Sequence, residues 1–233
     1  MTKSAYEMAA SAVSAVDSAL PASSPAPVLV RAENFRRSLF HVASGLFALA
    51  LLRLLPDRAW LVGVSGALAA TAWTLEIARR RSGAVNEALM RLFAPIAHPQ
   101  ERYRVNSSTW YMTALVGLAL LAPQRSSEIA VVVLGFADPA AGFIGRRIGR
   151  TRICAGRSLE GTLGFVVVGT LAAIGVLAVF HALPLPAMAL LALAGASAGA
   201  VTEVVTTNLD DNFTIPVSVA IAATAMGLAL PGI

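Results

Sequence analysis

The feature that most constrains this chain is a succession of apolar stretches, each roughly 17 to 25 residues long, the length a helix needs to cross a hydrocarbon core of about 30 Å. They run over residues 39–55, 59–78, 108–123, 128–144, 159–183, 186–205 and 213–230. The third and fourth are short for a crossing. Lipid offers backbone groups no partner, so such stretches become helices, and they are too long and too unalternating for the strands of an outer-membrane barrel. The predicted fold is all-α, a polytopic integral membrane protein with about seven transmembrane helices. Composition agrees: 57% hydrophobic and 13% charged residues leave too little polar surface to cover a soluble globule.

Residues 1–30 are rich in Ala and Ser and closed by prolines, and they read as a loosely ordered tail. Glu7 and Asp17 interrupt any signal-peptide core, and Lys3 alone is a thin basic start. Residues 31–233 are read as one transmembrane domain. The single cysteine, Cys154, excludes an intrachain disulfide. With the N-terminus cytoplasmic, 15 of the 18 basic residues fall inside and only Arg53, Arg58 and Arg125 lie across the membrane, a strong positive-inside bias. The formal charge of +5 is therefore a topology signal. A nucleic-acid partner is not expected, because no basic stripe interleaved with aromatics is present. The Ala-rich, Arg-over-Lys composition suits a bacterial inner membrane.

That orientation collects the unusual polar residues on one face. Asp138 lies near the cytoplasmic end of the fourth span, in a run from Ala137 that reads ADPAAGFIGRRIGRTRICAGRSLEGT and carries Glu160. Glu203 ends the sixth span and is followed by TTNLDDNFTIP, with Asp210, Asp211 and Asn212. Arg37 and His41 open the first span in RRSLFHVASG, and Glu76 closes the second. An acid near bilayer depth costs about 2.5–3.5 kcal/mol on insertion scales and marks a functional candidate. Carboxylates suit a hard cation such as Mg²⁺, which takes one or two of them together with phosphate oxygens and water. Guanidiniums match phosphate bidentately, and glycines such as Gly145 and Gly149 allow close backbone approach. A nucleoside triphosphate with magnesium fits this description. Taken singly, the same residues have plainer readings: Gly145 and Gly149 as a helix-packing pair, the arginines as topology signals, His41 as a packing histidine, Asp210 and Asp211 as a solvated loop.

The run from Asp138 through Ala141, Gly145 and Gly149 to Arg157, Ser158, Glu160 and Gly161 resembles the cytidine-nucleotide motif of the CTP-using polyprenol, dolichol, phytol and diacylglycerol kinases. RRSLFHVASG is similar to that family's opening Arg-Lys-x-x-His-x-x-x-Gly. Glu76, Asn86, Glu101 and the STWY segment resemble its second-to-third-span loop, and Glu203 with DDNFTIP its closing motif. The likeness runs from about Phe35 to the C-terminus. It implies a kinase that moves the γ-phosphoryl group of CTP to the hydroxyl of a membrane lipid alcohol. In that reading Asp138 and Asp211 hold Mg²⁺. Gly145, Gly149, Arg157, Ser158, Gly161, Arg37 and Asn212 serve the nucleotide, and Glu160 orients the loop. Glu203, Asp210 or His41 takes the proton of the alcohol. One departure is Arg157, where the family often has Lys before Ser-x-Glu-Gly; a fork replaces a point charge.

Two other readings compete. Phosphatidate cytidylyltransferases share a similar aspartate–glycine block, but the His-Gly-Gly and Asp-Arg-x-Asp ending they carry is absent here. A transporter also places charges and small residues in spans, but its charges would be spread through the membrane depth rather than crowded on one face. Small-residue stripes permit association into a homo-oligomer.

Overall fold

The computed structural model describes residues 35–94 and 103–230. The expected N-terminal tail, with Lys3 and Arg31, lies outside them, as do Glu101 and Arg102. Residues Glu33–Ile233 make one compact unit. The described residues form eight α-helices: α1 Phe35–Leu54, α2 Arg58–Arg81, α3 Gly83–Leu92, α4 Ser107–Leu121, α5 Gln124–Arg147, α6 Leu159–Phe180, α7 Leu185–Val205 and α8 Asp211–Ala229. A short 3₁₀ turn, Cys154–Gly156, precedes α6. The all-α polytopic fold is the one the apolar spacing predicts. Six helices are long and apolar enough to cross a membrane, and α4 is a shorter apolar helix. The 15 residues of α4 rise about 22 Å at 1.5 Å each, less than the hydrocarbon core.

The fourth span departs from expectation. It runs for 24 residues rather than being a short crossing, and Pro139 lies inside it. Its polar first turn resembles a loop in sequence, but Ser127 Oγ donates back to the Pro123 carbonyl at 3.1 Å, and Glu128 is paired inside the bundle. Residues Ser126 through Gly135 are all buried, so α5 is the axis of the fold, and from Ile129 to Ala137 it is apolar all round as a core helix must be. Around it pack α1, α6, α7 and α8; α2 packs on α4, and α4 on α8.

Small residues set how closely these helices approach, as in other membrane bundles. A Cβ on Gly45 would lie 3.0 Å from the Cα of Gly135 and 3.0 Å from the Val131 carbonyl, so α1 and α5 touch backbone to backbone there. Gly169 on α6 packs against Ala137 and Ala196, and Gly199 on α7 against Val219 and Phe165. Outward-facing leucines, isoleucines, valines and phenylalanines, among them Leu54, Leu121, Leu171 and Leu228, remain exposed. Their natural solvent is lipid.

Side-chain oxygens start three of the six long helices and the shorter α4 by capping otherwise orphaned N–H groups: Asp57 accepts from Trp60 N, Asn106 from Ser108 N, Ser158 from Gly161 N and Asp210 from Asn212 N. Three of these caps (Asn106, Ser158, Asp210) lie at the same end of the bundle as the basic loop, where the polar outliers of the sequence also fall.

Candidate functional site

The site is built where α5, α6, α7 and α8 end or begin. After α5 the chain turns through a left-handed glycine, Gly156 at φ 75°, a conformation that favours glycine. Ile153 N then donates to the Arg157 carbonyl at 2.9 Å and Leu159 N to the Thr151 carbonyl at 2.9 Å. Glu160 holds the same loop by accepting from Thr151 N at 3.1 Å. The loop thus presents Arg157 inward. Its guanidinium forks between two elements, with Nη1 2.7 Å from Glu203 Oε1 on α7 and Nη2 2.7 Å from Asp211 Oδ2 at the start of α8. Glu203 is buried. Burial works against the charge of Arg157, but Glu203, Asp211 and Asp138 outweigh it and push its pKa above the ordinary arginine value.

Asp138 reaches this cluster from α5. The close contact of Gly45 with Gly135 brings α1 against α5, and about one turn further along both helices His41 Nδ1 stands 3.8 Å from Asp138 Oδ2. The structure therefore brings together His41, Asp138, Arg157, Glu203 and Asp211, from four helices and one loop. Among the described residues no group of three or more His, Cys, Asp or Glu side chains is placed to hold a metal ion by itself; the guanidinium of Arg157 stands between two of the acids.

The glycines of the motif face protein. A Cβ on Gly145 would come within 2.9 Å of Ser158 Oγ, one on Gly149 would collide with the Gly145 carbonyl and Ser158, and one on Gly161 would lie 2.9 Å from the Ala141 carbonyl. Gly145, Gly149 and Gly161 thus let the buried cap Ser158 fit between the end of α5 and the start of α6, the packing use of such a pair. Asp210 is likewise committed: it accepts from Asn212 N at 3.0 Å, from Asn212 Nδ2 at 2.7 Å and from Ser107 Oγ at 2.9 Å. It ties α4 to α8. Arg37 and Asn212 line a neighbouring cavity between α1, α2 and α4.

Two further networks stand at the ends of the bundle: Glu76 with Arg79 and Arg80 keeps the i,i+3 and i,i+4 spacing of one helix, whereas the ion pairs of the second have no local spacing. At the same end, buried Glu76 accepts from Arg79 Nε and Nη2, both at 2.8 Å, from Arg80 Nε at 2.7 Å and from Asn106 N at 3.3 Å. Arg79 also donates to Asn86 Oδ1 and to the Arg104 carbonyl. At the opposite end, Glu128, fully buried on α5, pairs with His181 at 2.7 Å and Arg53 at 3.2 Å and accepts from Gln124 at 3.2 Å. Glu128, Arg53 and His181 each sit near a span end, which is the signal that could have found them; the pairing spans 53 and 75 positions and leaves no periodic trace.

Fold and site together define a polytopic all-α membrane protein with a carboxylate–guanidinium cluster at one end of its helical bundle. Comparison with known protein families, with curated proteins and with solved structures finds no match.

Proposed function

We propose that this protein is a CTP-dependent lipid kinase, embedded in a bacterial inner membrane with its N-terminus and site cytoplasmic, transferring a γ-phosphoryl group to the hydroxyl of a lipid alcohol such as a polyprenol, a phytol-like isoprenoid or diacylglycerol. The observation that carries the reading is the meeting of Asp138, Glu203 and Asp211 around Arg157. Phosphoryl transfer asks a protein mainly to position reactants and neutralise charge, and this cluster holds both signs of charge at one end of a lipid-facing bundle. Mg²⁺ takes one or two carboxylates alongside phosphate oxygens and water, and two of the acids at this cluster are enough for that. Asp138 and Asp211 would hold the ion, which bound there supplies Lewis-acid neutralisation of phosphate oxygens.

Arg157 is the residue placed to answer the triphosphate, since its fork already spans two anionic partners and matches phosphate equally well. Ser158 and Gly161 open α6 and are bonded to each other there, and Glu160 keeps the loop that carries Arg157 in register with them. Gly145 and Gly149 act by letting this junction close. Of the candidate bases, Asp210 is occupied as a helix cap, which leaves His41 and Glu203 nearer the reacting groups. The alcohol loses its proton to one of these, its oxygen bonds to the γ-phosphorus, and the bond to the β-phosphate oxygen breaks to release CDP.

The test is label transfer. Purified protein with Mg²⁺ and a panel of lipid alcohols is expected to move label from γ-labelled CTP into the lipid. Cytidine label appearing in the lipid instead would establish a cytidylyltransferase and discard the kinase.

A further inference from the structure

Although α1 and α2 are consecutive, they do not pack along one another: α1 lies on α5, and α2 on α4. The space between them is a cavity of about 300 Å³. Its two ends differ in chemistry. Toward the membrane interior the wall is Leu68, Ala72 and Leu75 of α2 with Met112 of α4. Toward the cluster it is His41 and Asn212, with serines and a threonine from the start of α4. His41 is the shared residue, lining the cavity and standing 3.8 Å from Asp138. Pro216 offers no N–H to the Asn212 carbonyl four residues earlier, so the helix supplies that acceptor no ordinary partner at the cavity's polar end. The short helix α3 adds Leu89 and Met90 to the wall. Apolar on one face and ten residues long, it is suited to lie in the membrane interface.

We infer that this cavity is the seat of the acceptor lipid, and that it takes one apolar chain ending in a hydroxyl, which enters sideways from the bilayer between α1 and α2 and delivers its oxygen beside His41. Recognition follows from the lining: apolar walls at membrane depth, convergent polar groups at one end, and direct continuity with Asp138. The volume sits at the lower bound of ligand pockets, about 300 to 1,000 Å³, which suits one chain and its head better than a pair of chains. The inference rests on the lipid-kinase reading for the occupant's hydroxyl head.

The test uses the full chain in lipid nanodiscs without nucleotide and a long-chain primary alcohol carrying a photoreactive diazirine. Adducts are expected on the α2 segment around Leu68–Leu75 and on α4 near Met112. Excess unlabelled long-chain alcohol should suppress them about tenfold, whereas the matching alkane and diacylglycerol should not. Ala72→Trp, which fills the cavity, should remove the adducts while CTP binding is retained. Adducts in the cavity without transfer from any nucleoside triphosphate would uphold the seat and sink the kinase. Transfer to the alcohol with adducts on α6 or α7 instead, or with wild-type labelling indifferent to competitor, would overturn the seat and leave the kinase standing. Competition by diacylglycerol equal to that of the alcohol would overturn the single-chain assignment.

Discussion

Arg157 makes two 2.7 Å ion pairs with carboxylates on different helices, one through each terminal nitrogen of its planar fork. Arg157→Lys is expected to keep the charge and lose one contact, a cost of roughly 1.5–3 kcal/mol for a bond to a charged group, read as a ten- to hundredfold fall in kcat/KM; unchanged turnover would show that charge alone suffices. Asp138→Asn should leave the protein inserted and folded but cut transfer by more than about a hundredfold, since even neighbours of metal ligands cost 10- to 100-fold. Titrating Mg²⁺ against both proteins checks this. At the far end, Glu128→Ala would take the shared acid from Arg53 and His181, both of them partly exposed, and a lost hydrogen bond to a charged group costs about 1.5–3 kcal/mol. A lower Tm in detergent with little change in CTP affinity is the expected result. Asp138, Glu203 and Asp211 were legible as charged outliers in apolar sequence. That Asp210 serves as a cap shared with Ser107, and that Glu128 has His181 as partner, was not, because a polar residue at a span end looks alike in every role.

At the scale of elements, glycines decide what meets. The α1–α5 contact at Gly45 and Gly135 sets His41 against Asp138, and the α5–α6 junction at Gly145, Gly149 and Gly161 seats the Ser158 cap. Gly45→Ala places a methyl within 3.0 Å of backbone on α5, so α1 must move outward; overpacking of this kind costs about 1–3 kcal/mol. The variant is expected to lose stability, and also activity in proportion to the displacement of His41. A Gly149→Ala protein should behave similarly but through the Arg157 loop, raising KM for the nucleotide. Thermal unfolding together with nucleotide binding separates the two. Sequence alone left Gly145 and Gly149 open between packing and phosphate contact, since a four-residue spacing serves either, and only the position of Ser158 shows which surface they face.

For the whole molecule, the crossing helices alternate so that the basic loop, Arg157, the Glu76 network and the starts of α4, α6 and α8 share one end, while Arg53, Glu128 and His181 share the other. The positive-inside bias predicts that the first of these ends is cytoplasmic. Cys154, the single cysteine and exposed in the basic loop, makes a native reporter: a membrane-impermeant maleimide should modify it in inside-out vesicles and spare it in intact cells. Modification in intact cells would reverse the orientation.

Helix class, the membrane as solvent and the approximate span boundaries were decided by the sequence alone, because backbone hydrogen bonding in lipid is a local requirement that any long apolar run must meet. The extra length of α5, the pairing of acids with particular guanidiniums and histidines, and the cavity between α1 and α2 were decided only in three dimensions. They depend on which helix faces approach one another, and small residues allow several approaches that a linear pattern does not rank.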